Sequence, residues 1–265
     1  MAITAKNQCA IRSHNKLQVL WCLMSQLLIK RRFCGPPNSG NGGYVCGLVA
    51  NYVEGCAEVT LRSPPPLEQP LDIRKGDDNA VALCDGDSVV ATARSGSLEI
   101  TAPPFVPFVD AQAAAAQPLI APGEHLLPTC FVCGPDRGHG DGMRLFAGPV
   151  ANSPGLLAVP WIPDDSLPHE DGRPLAEILW AALDCPTGYA AYAAIPEAML
   201  LGRMVVAIHE RPLLGEKCVV TACFVERAGR KIVTDGAVYG ENGHLLAAAR
   251  NTWITVPLEV QQGQA

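Results

Sequence analysis

The stretch VTLRSPPPLEQPLDI, residues 59–73, aligns without a gap on VAIHERPLLGEKCVV, residues 206–220. Val59 matches Val206, Leu61 matches Ile208, Pro65 matches Pro212 and Leu67 matches Leu214. Further on, AVALCDGDSVVATAR (residues 80–94) matches AVYGENGHLLAAAR (residues 237–250) from the right-hand end. Gly86 in the first copy and Asn242-Gly243 in the second mark a turn between two strands. Upstream, Gly43-Tyr44 and Gly188-Tyr189 each lead into alanine- or leucine-rich helical sequence. The same order, a helix entered through glycine and then several strands, occurs twice. Such a chain is expected to build the same α+β layer twice, a helix covering one face of an antiparallel sheet.

The second copy is the easier to resolve into elements. RMVVAIHE and EKCVVTACFVER carry β-branched content, AGRK turns, KIVTDGAVYG returns and HLLAAARNTWITV closes the set. PLAEILWAALD is predicted to be the helix, with Pro174 in its first turn. Leu175, Ile178, Leu179 and Ala182 fall on one face, and Pro186 is predicted to break or kink the helix just after Asp184. Between the copies, residues 101–128 are rich in proline and alanine with no steady period, which predicts a connector.

At 265 residues and a net charge of −6, the chain has room for a packed core and lacks the basic surface of a nucleic-acid binder. The 11 cysteines sit in apolar runs such as YVCGLVA, where cysteine behaves as a small hydrophobe. Together with the absence of an export signal, they predict a cytoplasmic protein. KLQVLWCLMSQLLIKRR, residues 16–32, has an apolar stretch shorter than the roughly 20 residues that span a bilayer. It admits three readings: a helix or strand docked on the body, a membrane-surface helix, or sequence upstream of the folded protein. No firm membrane association is expected.

Three segments carry a resemblance. CFVCGPDRGHGDGMRLF, residues 130–146, is similar to the Cys-Phe-x-Cys-Gly-Pro-Asp opening of many small hotdog thioesterase-like proteins. FCGPPNSGNGGYVCGLVA and WAALDCPTGYA resemble segments of bacterial members of that superfamily. Over roughly residues 33–258 the chain therefore resembles a double hotdog, with two antiparallel sheets each wrapping a central helix. The implied organisation is an amino-terminal extension (1–32), a first hotdog unit (33–100), the connector (101–128), a second unit (129–258) and a tail (259–265).

The resemblance implies hydrolysis of an acyl thioester, most plausibly acyl-CoA, at the interface of the two units. Asp184 would be the general base, the Gly42 and Gly43 amides would polarise the carbonyl, and Asn251 or Thr187 would place the water. Asn251 is the nearest residue to the glutamine that the family carries on the last strand. Asn38, Ser39, Asn41, Tyr44 and Arg203 are the expected substrate contacts, and a homodimer is a further possibility. No cofactor is implied. A silent hotdog that binds acyl-CoA without turnover, and a hydratase, are the alternatives. The hydratase is disfavoured because no histidine follows Asp184 in CPTGYAAYA.

Each candidate has a plainer reading. The glycines of GPPNSGNGGY suit an anion at a helix mouth, but they equally suit close packing; the missing Lys-Ser/Thr excludes a phosphate loop. Asp184 ends an apolar helical face, where burial favours a base, or it caps the backbone around Pro186. With Gly43 and Gly188 equated, Asp184 corresponds to Ser39. Cys130 and Cys133 form a CxxC with His139 and Asp141 close behind. No second cysteine pair stands at zinc spacing, so a structural turn is expected and no metal. Arg144, Arg203 and Arg250 are equally suited to phosphate or to carboxylate partners.

Overall fold

The computed structural model describes residues 22–76 and 79–262. The part of the amino-terminal extension before residue 22 and the end of the tail lie outside them. The first-copy elements are β1 (Cys22–Leu28), α1 (Gly42–Ala50), β2 (Ala57–Leu61), β3 (Pro70–Lys75), β4 (Val81–Asp85) and β5 (Ser88–Ser95). Helix α2 (Phe108–Ala115) follows, then β6 (Gly148–Pro149) and β7 (Leu156–Trp161). A hairpin, β8 (His169–Glu170) and β9 (Arg173–Pro174), precedes α3 (Ala176–Ala182) and α4 (Cys185–Ala194). The chain then runs through β10 (Met199–Ile208), β11 (Cys218–Ala228), β12 (Lys231–Tyr239), β13 (Leu245–Thr255) and α5 (Leu258–Gln261).

The two expected sheets are one. Eleven strands join in the order β1-β3-β4-β5-β2-β10-β13-β12-β11-β7-β6, and the only other sheet among the described residues is the β8-β9 hairpin. The order is a mirror about its middle: β1-β3-β4-β5-β2 on one side answers β7-β11-β12-β13-β10 on the other. The seam is the antiparallel pair β2–β10, where Glu58 faces Val205 and Val59 faces Met204. Glu58 and Val205 are the positions the repeat equates just before its aligned stretch, so the local two-fold relation runs through that pair. The sheets merge because β2 and β10 would otherwise be bare edges, each with unpaired N–H and C=O groups.

The mirror order also explains the amino-terminal segment. Cys22–Leu28 pairs antiparallel with β3 as β7 pairs with β11, so the sheet begins upstream of the boundary expected at residue 33. The strand turns β4–β5 and β12–β13 fall at Gly86 and Gly243, both with positive φ (57° and 76°), as the DGD and NGH signals require. Within the connector, residues 108–115 form α2 rather than an irregular link. Ala111 and Ala114 are buried against the β6–β7 end of the sheet, a contact that a short alanine-rich helix makes without an apolar period. No helix among the described residues is long and apolar enough to cross a membrane.

Helix α1 packs on β2, β4, β5 and β10, and α4 packs on β7, β11, β12 and β13. Between them lies α3, which differs from expectation in two ways. Pro174 sits in β9, and the helix starts at Ala176 behind the N-cap Leu175. Its burial extends beyond one face: Glu177, Trp180 and Ala181 are buried along with Ile178 and Leu179, because α1 covers the side turned away from the sheet. The buried Glu177 carboxylate accepts a hydrogen bond from Asn51 Nδ2 at 3.1 Å.

The approach of α1 to α3 is set by Gly43 and Gly47, one turn apart. A Cβ on Gly47 would stand 2.5 Å from Glu177 Cα, and one on Gly43 would stand 2.6 Å from both Asp184 Cβ and the Trp180 carbonyl oxygen. Backbone and Cβ atoms cannot yield as a long side chain would. Gly47→Ala is expected to cost about 1–3 kcal/mol or more by overpacking, read as a lower midpoint of chemical denaturation. Gly123→Ala, where an added Cβ meets nothing within 4 Å, is expected to stay within about 0.5 kcal/mol of wild type.

Candidate functional site

α3 and α4 are separated by Leu183 and Asp184, and Asp184 is the N-cap of α4 with φ −77° and ψ −83°. The break comes before Pro186, which occupies the first turn of α4, where a missing N–H costs nothing. Asp184 is 3% exposed, and its carboxylate turns away from its own helix. Its Oδ2 accepts hydrogen bonds at 2.8 Å from Asn41 Nδ2 and at 2.8 Å from the Gly43 N–H. Both donors belong to the mouth of α1, where Asn41 is the N-cap and its own Oδ1 accepts from the Tyr44 N–H at 2.9 Å. The two helix mouths are thus tied to each other. The residue facing Asp184 is Asn41, the N-cap of α1.

Oδ1 of Asp184 accepts no hydrogen bond among the described residues, and Asp184 lines a cavity of about 430 Å³. Burial pushes its carboxyl up to about 7, while the Gly43 and Asn41 donors pull the other way. Among the donors at the α1 mouth, Gly43 N–H is therefore occupied. Gly42, the first residue of the helix, lines the same cavity, and its N–H has no partner among the described residues. Of the two amides expected to polarise a carbonyl, only Gly42's stands open, because the carboxylate itself takes the other.

Asn38, Ser39 and Asn41 line the cavity with Asp184, as does Gly188 of α4. Tyr44 does not: its ring stacks on Phe33 (centroids 4.1 Å apart) and meets Phe131 edge-on, which makes it a core residue under the mouth. Arg203 is also elsewhere, exposed and paired with Glu58 at 3.6 Å. Arg250 holds Asp235 through two hydrogen bonds, and Arg144 donates to the Pro135 and Arg137 carbonyls.

Asn251 and Thr187 lie behind the carboxylate, outside the cavity lining, and each is completely buried. Asn251 Nδ2 donates to the Leu183 carbonyl at 2.9 Å and to Thr187 Oγ1 at 2.6 Å. Thr187 Oγ1 in turn donates to the Asp184 carbonyl at 2.7 Å. This network grips the backbone of the break between α3 and α4, so both residues hold Asp184 in place from beneath.

Several residues of the site were not apparent from the sequence. Arg62 is exposed at the cavity rim with no side-chain partner among the described residues. His125 lines the cavity and bonds Tyr189 Oη at 2.9 Å; burial lowers its pKa. Cys185 of α4 joins Cys130 and Cys133 of the CxxC in the wall next to Asp184. His139 and Asp141, expected near the CxxC, are exposed, and Asp141 pairs with Arg137 at 2.9 Å. Ser63, Pro64 and Pro65 also line the cavity, where a run of prolines between β2 and β3 gives no signal of a cavity in the sequence.

By sequence, the chain matches no family model and no curated protein. By structure, it is similar to a conserved protein of Alicyclobacillus acidocaldarius with a hot dog fold, at 14% identity and TM-score 0.60, over 88% of this chain and 92% of that one. The chain has the hotdog fold. Acyl-CoA thioesterase II TesB2 of Mycobacterium marinum superposes on this hotdog chain with TM-score 0.54 at 14% identity, over 91% of this chain and 95% of the other. The tesB protein of Mycobacterium avium subspecies paratuberculosis gives TM-score 0.53 at 14% identity, over 92% and 96%.

Removing the support beneath the carboxylate is expected to weaken the hotdog fold itself. Asn251→Ala leaves the buried Thr187 hydroxyl and Leu183 carbonyl without this donor, at about 1–3 kcal/mol, measurable by denaturant titration. Asn38→Ala, at an exposed loop position, is expected to stay within about 0.5 kcal/mol.

Proposed function

We propose that this hotdog protein hydrolyses an acyl thioester of the acyl-CoA class in the cavity between the α1 and α4 mouths. One observation carries the reading. A buried carboxylate faces the cavity with one oxygen fixed by two donors and the other open, beside an unpaired helix-mouth amide. The hotdog neighbours named acyl-CoA thioesterase II and tesB lend it further support.

In this reading the thioester carbonyl oxygen accepts from the Gly42 N–H, which is aided by the positive end of α1. A water held by Asp184 Oδ1 attacks the carbonyl carbon and gives its proton to that oxygen. The carbon–oxygen bond forms, then the carbon–sulfur bond breaks with its electron pair leaving on sulfur. The proton held on Asp184 Oδ1 then passes to that sulfur, giving the free acid and the thiol and restoring the carboxylate. Asn41 and Gly43 fix the carboxylate from the front, and Asn251 and Thr187 fix its backbone from behind. Neither Asn251 nor Thr187 touches the water. Asn38 and Ser39 contact substrate near the mouth, and Arg62 replaces Arg203 as the cation for a phosphate at the rim. Two hotdog units, each a helix with its own strands, supply the two mouths, with residues 101–128 passing between them.

A specific observation also favours a second reading, a hotdog that binds acyl-CoA without turnover. The Gly43 amide is engaged by Asp184, leaving one donor for an oxyanion where acyl-transfer sites usually present more than one. The two readings separate on one assay, thiol release from acyl-CoA esters of short, long and aryl acyl groups.

Asp184→Asn keeps an oxygen for Asn41 and Gly43 while removing the base. It is expected to lower kcat about 10²–10⁴-fold. Activity that survives the substitution removes Asp184 from the mechanism, and silence of the wild type with esters still binding leaves the non-catalytic hotdog. Arg62→Ala is expected to raise KM for acyl-CoA about two- to five-fold with kcat unchanged, an effect that added salt should erase.

A further inference from the structure

In the sequence the CxxC supplies two thiols, and no second cysteine pair stands at zinc spacing. The fold supplies the missing thiol from a distant element. The Sγ atoms of Cys130, Cys133 and Cys185 all lie within 4.8 Å of one another, and Cys130 and Cys185 are 3.7 Å apart. Two thiolates bound to one tetrahedral zinc at about 2.3 Å each stand roughly 3.8 Å apart. The spacing therefore suits one ion held jointly, and it is too long for a disulfide, whose sulfurs bond at about 2.05 Å.

The CxxC segment has the shape that metal-thiolate turns require. The Gly134 N–H bonds the Cys130 carbonyl at 2.8 Å, closing the turn between the two cysteines. Gly134 is obligatory there, because a Cβ would stand 2.5 Å from both the Cys130 and Pro128 carbonyl oxygens. Cys185 arrives as the first residue of the ten-residue α4, directed to the same point by the break at Asp184. Asn41 Nδ2 lies 3.9 Å from both Cys130 Sγ and Cys185 Sγ, an outer donor of the kind that steadies metal-bound sulfur. Nothing in ordinary core packing calls for three thiols, a carboxylate and an amide around one point of a cavity wall.

We propose that Cys130, Cys133 and Cys185 form a three-thiolate site for one thiophilic divalent cation of the zinc type, its fourth position supplied from the cavity. Three protein ligands with an open fourth place is the pattern of sites whose ion meets a small ligand. Binding balances as one cation plus three thiols giving a tris-thiolate complex of net charge −1 and three released protons. The inference stands apart from thioester hydrolysis: the ion need not take part in that reaction, and the test does not read it.

The test titrates the reduced, metal-stripped, full-length protein with cadmium ion under argon. It reads the ultraviolet sulfur-to-cadmium charge-transfer absorption, the bound stoichiometry by equilibrium dialysis, and the protons released in weak buffer. Expected are one cadmium per chain, proton release as the remaining thiols become thiolates, and displacement by zinc ion. Cys133→Ser and Cys185→Ser should each weaken binding by more than the roughly 10–100-fold typical of losing an outer-shell partner. Cys56→Ser, at a half-exposed cysteine outside the cluster, should leave it unchanged. Absence of the absorption band in the wild type overturns the proposal, and so does a band that persists in a folded Cys133→Ser or Cys185→Ser protein. Should neither variant fold, the wild-type absorption band and stoichiometry decide alone, and anything other than one cadmium per chain overturns it.

Discussion

The two hydrogen bonds to Asp184 Oδ2 hold the architecture to its site. A buried carboxylate is tolerated only with donors in place, and both donors, Asn41 and the Gly43 N–H, come from the other copy of the repeat. Meeting them requires α1 to touch the end of α3, and Gly43 and Gly47 permit that approach by having no Cβ. It also requires the copies to be fixed in register, which the β2–β10 seam of the continuous sheet does. Helix spacing, sheet continuity and the buried charge are therefore one constraint. Relaxing any of them leaves the carboxylate without partners.

Much of the fold was legible because repetition and periodicity are local. The four long strands of the second copy fall where their β-branched content placed them, and Gly86 and Gly243 mark turns by a backbone conformation that glycine adopts most readily. The merged sheet was not legible. Pairing of β2 with β10 joins residues more than 140 positions apart, and edge strands carry no composition that names their partner. The helix α2 escaped for a different reason: Ala111 and Ala114 bury little area each, so their pattern hardly differs from that of a connector.

The site was legible in its chemistry and less so in its geometry. An acid closing an apolar face implied burial, and glycines at a helix mouth implied close approach; both features occur, and they meet in the same contact. Which neighbour serves which atom depends on side-chain direction. Tyr44 follows Gly43 directly yet turns into the Phe33 stack, while Asn251 reaches the carboxylate's backbone without lining the cavity. Arg62 looked like any charged residue beside a proline run, and Cys185 like a core cysteine on a helix. Their significance comes from the β2–β3 turn and the α3–α4 break, which bring them to the cavity.

The mirror symmetry of the sheet stops at the helix mouths, and electrostatics says why it must. Two aspartates facing each other as Asn41 and Asp184 do would place two carboxylates within hydrogen-bond distance, able to coexist only by sharing a proton. Two asparagines would satisfy the geometry but leave no ionisable group. One amide against one acid gives a single carboxylate, oriented by a donor that cannot compete for its proton. A fold that repeats its strands can thus carry one ionisable group at their junction, because the unlike pair is the arrangement that both satisfies the buried polar atoms and leaves an oxygen open to the cavity.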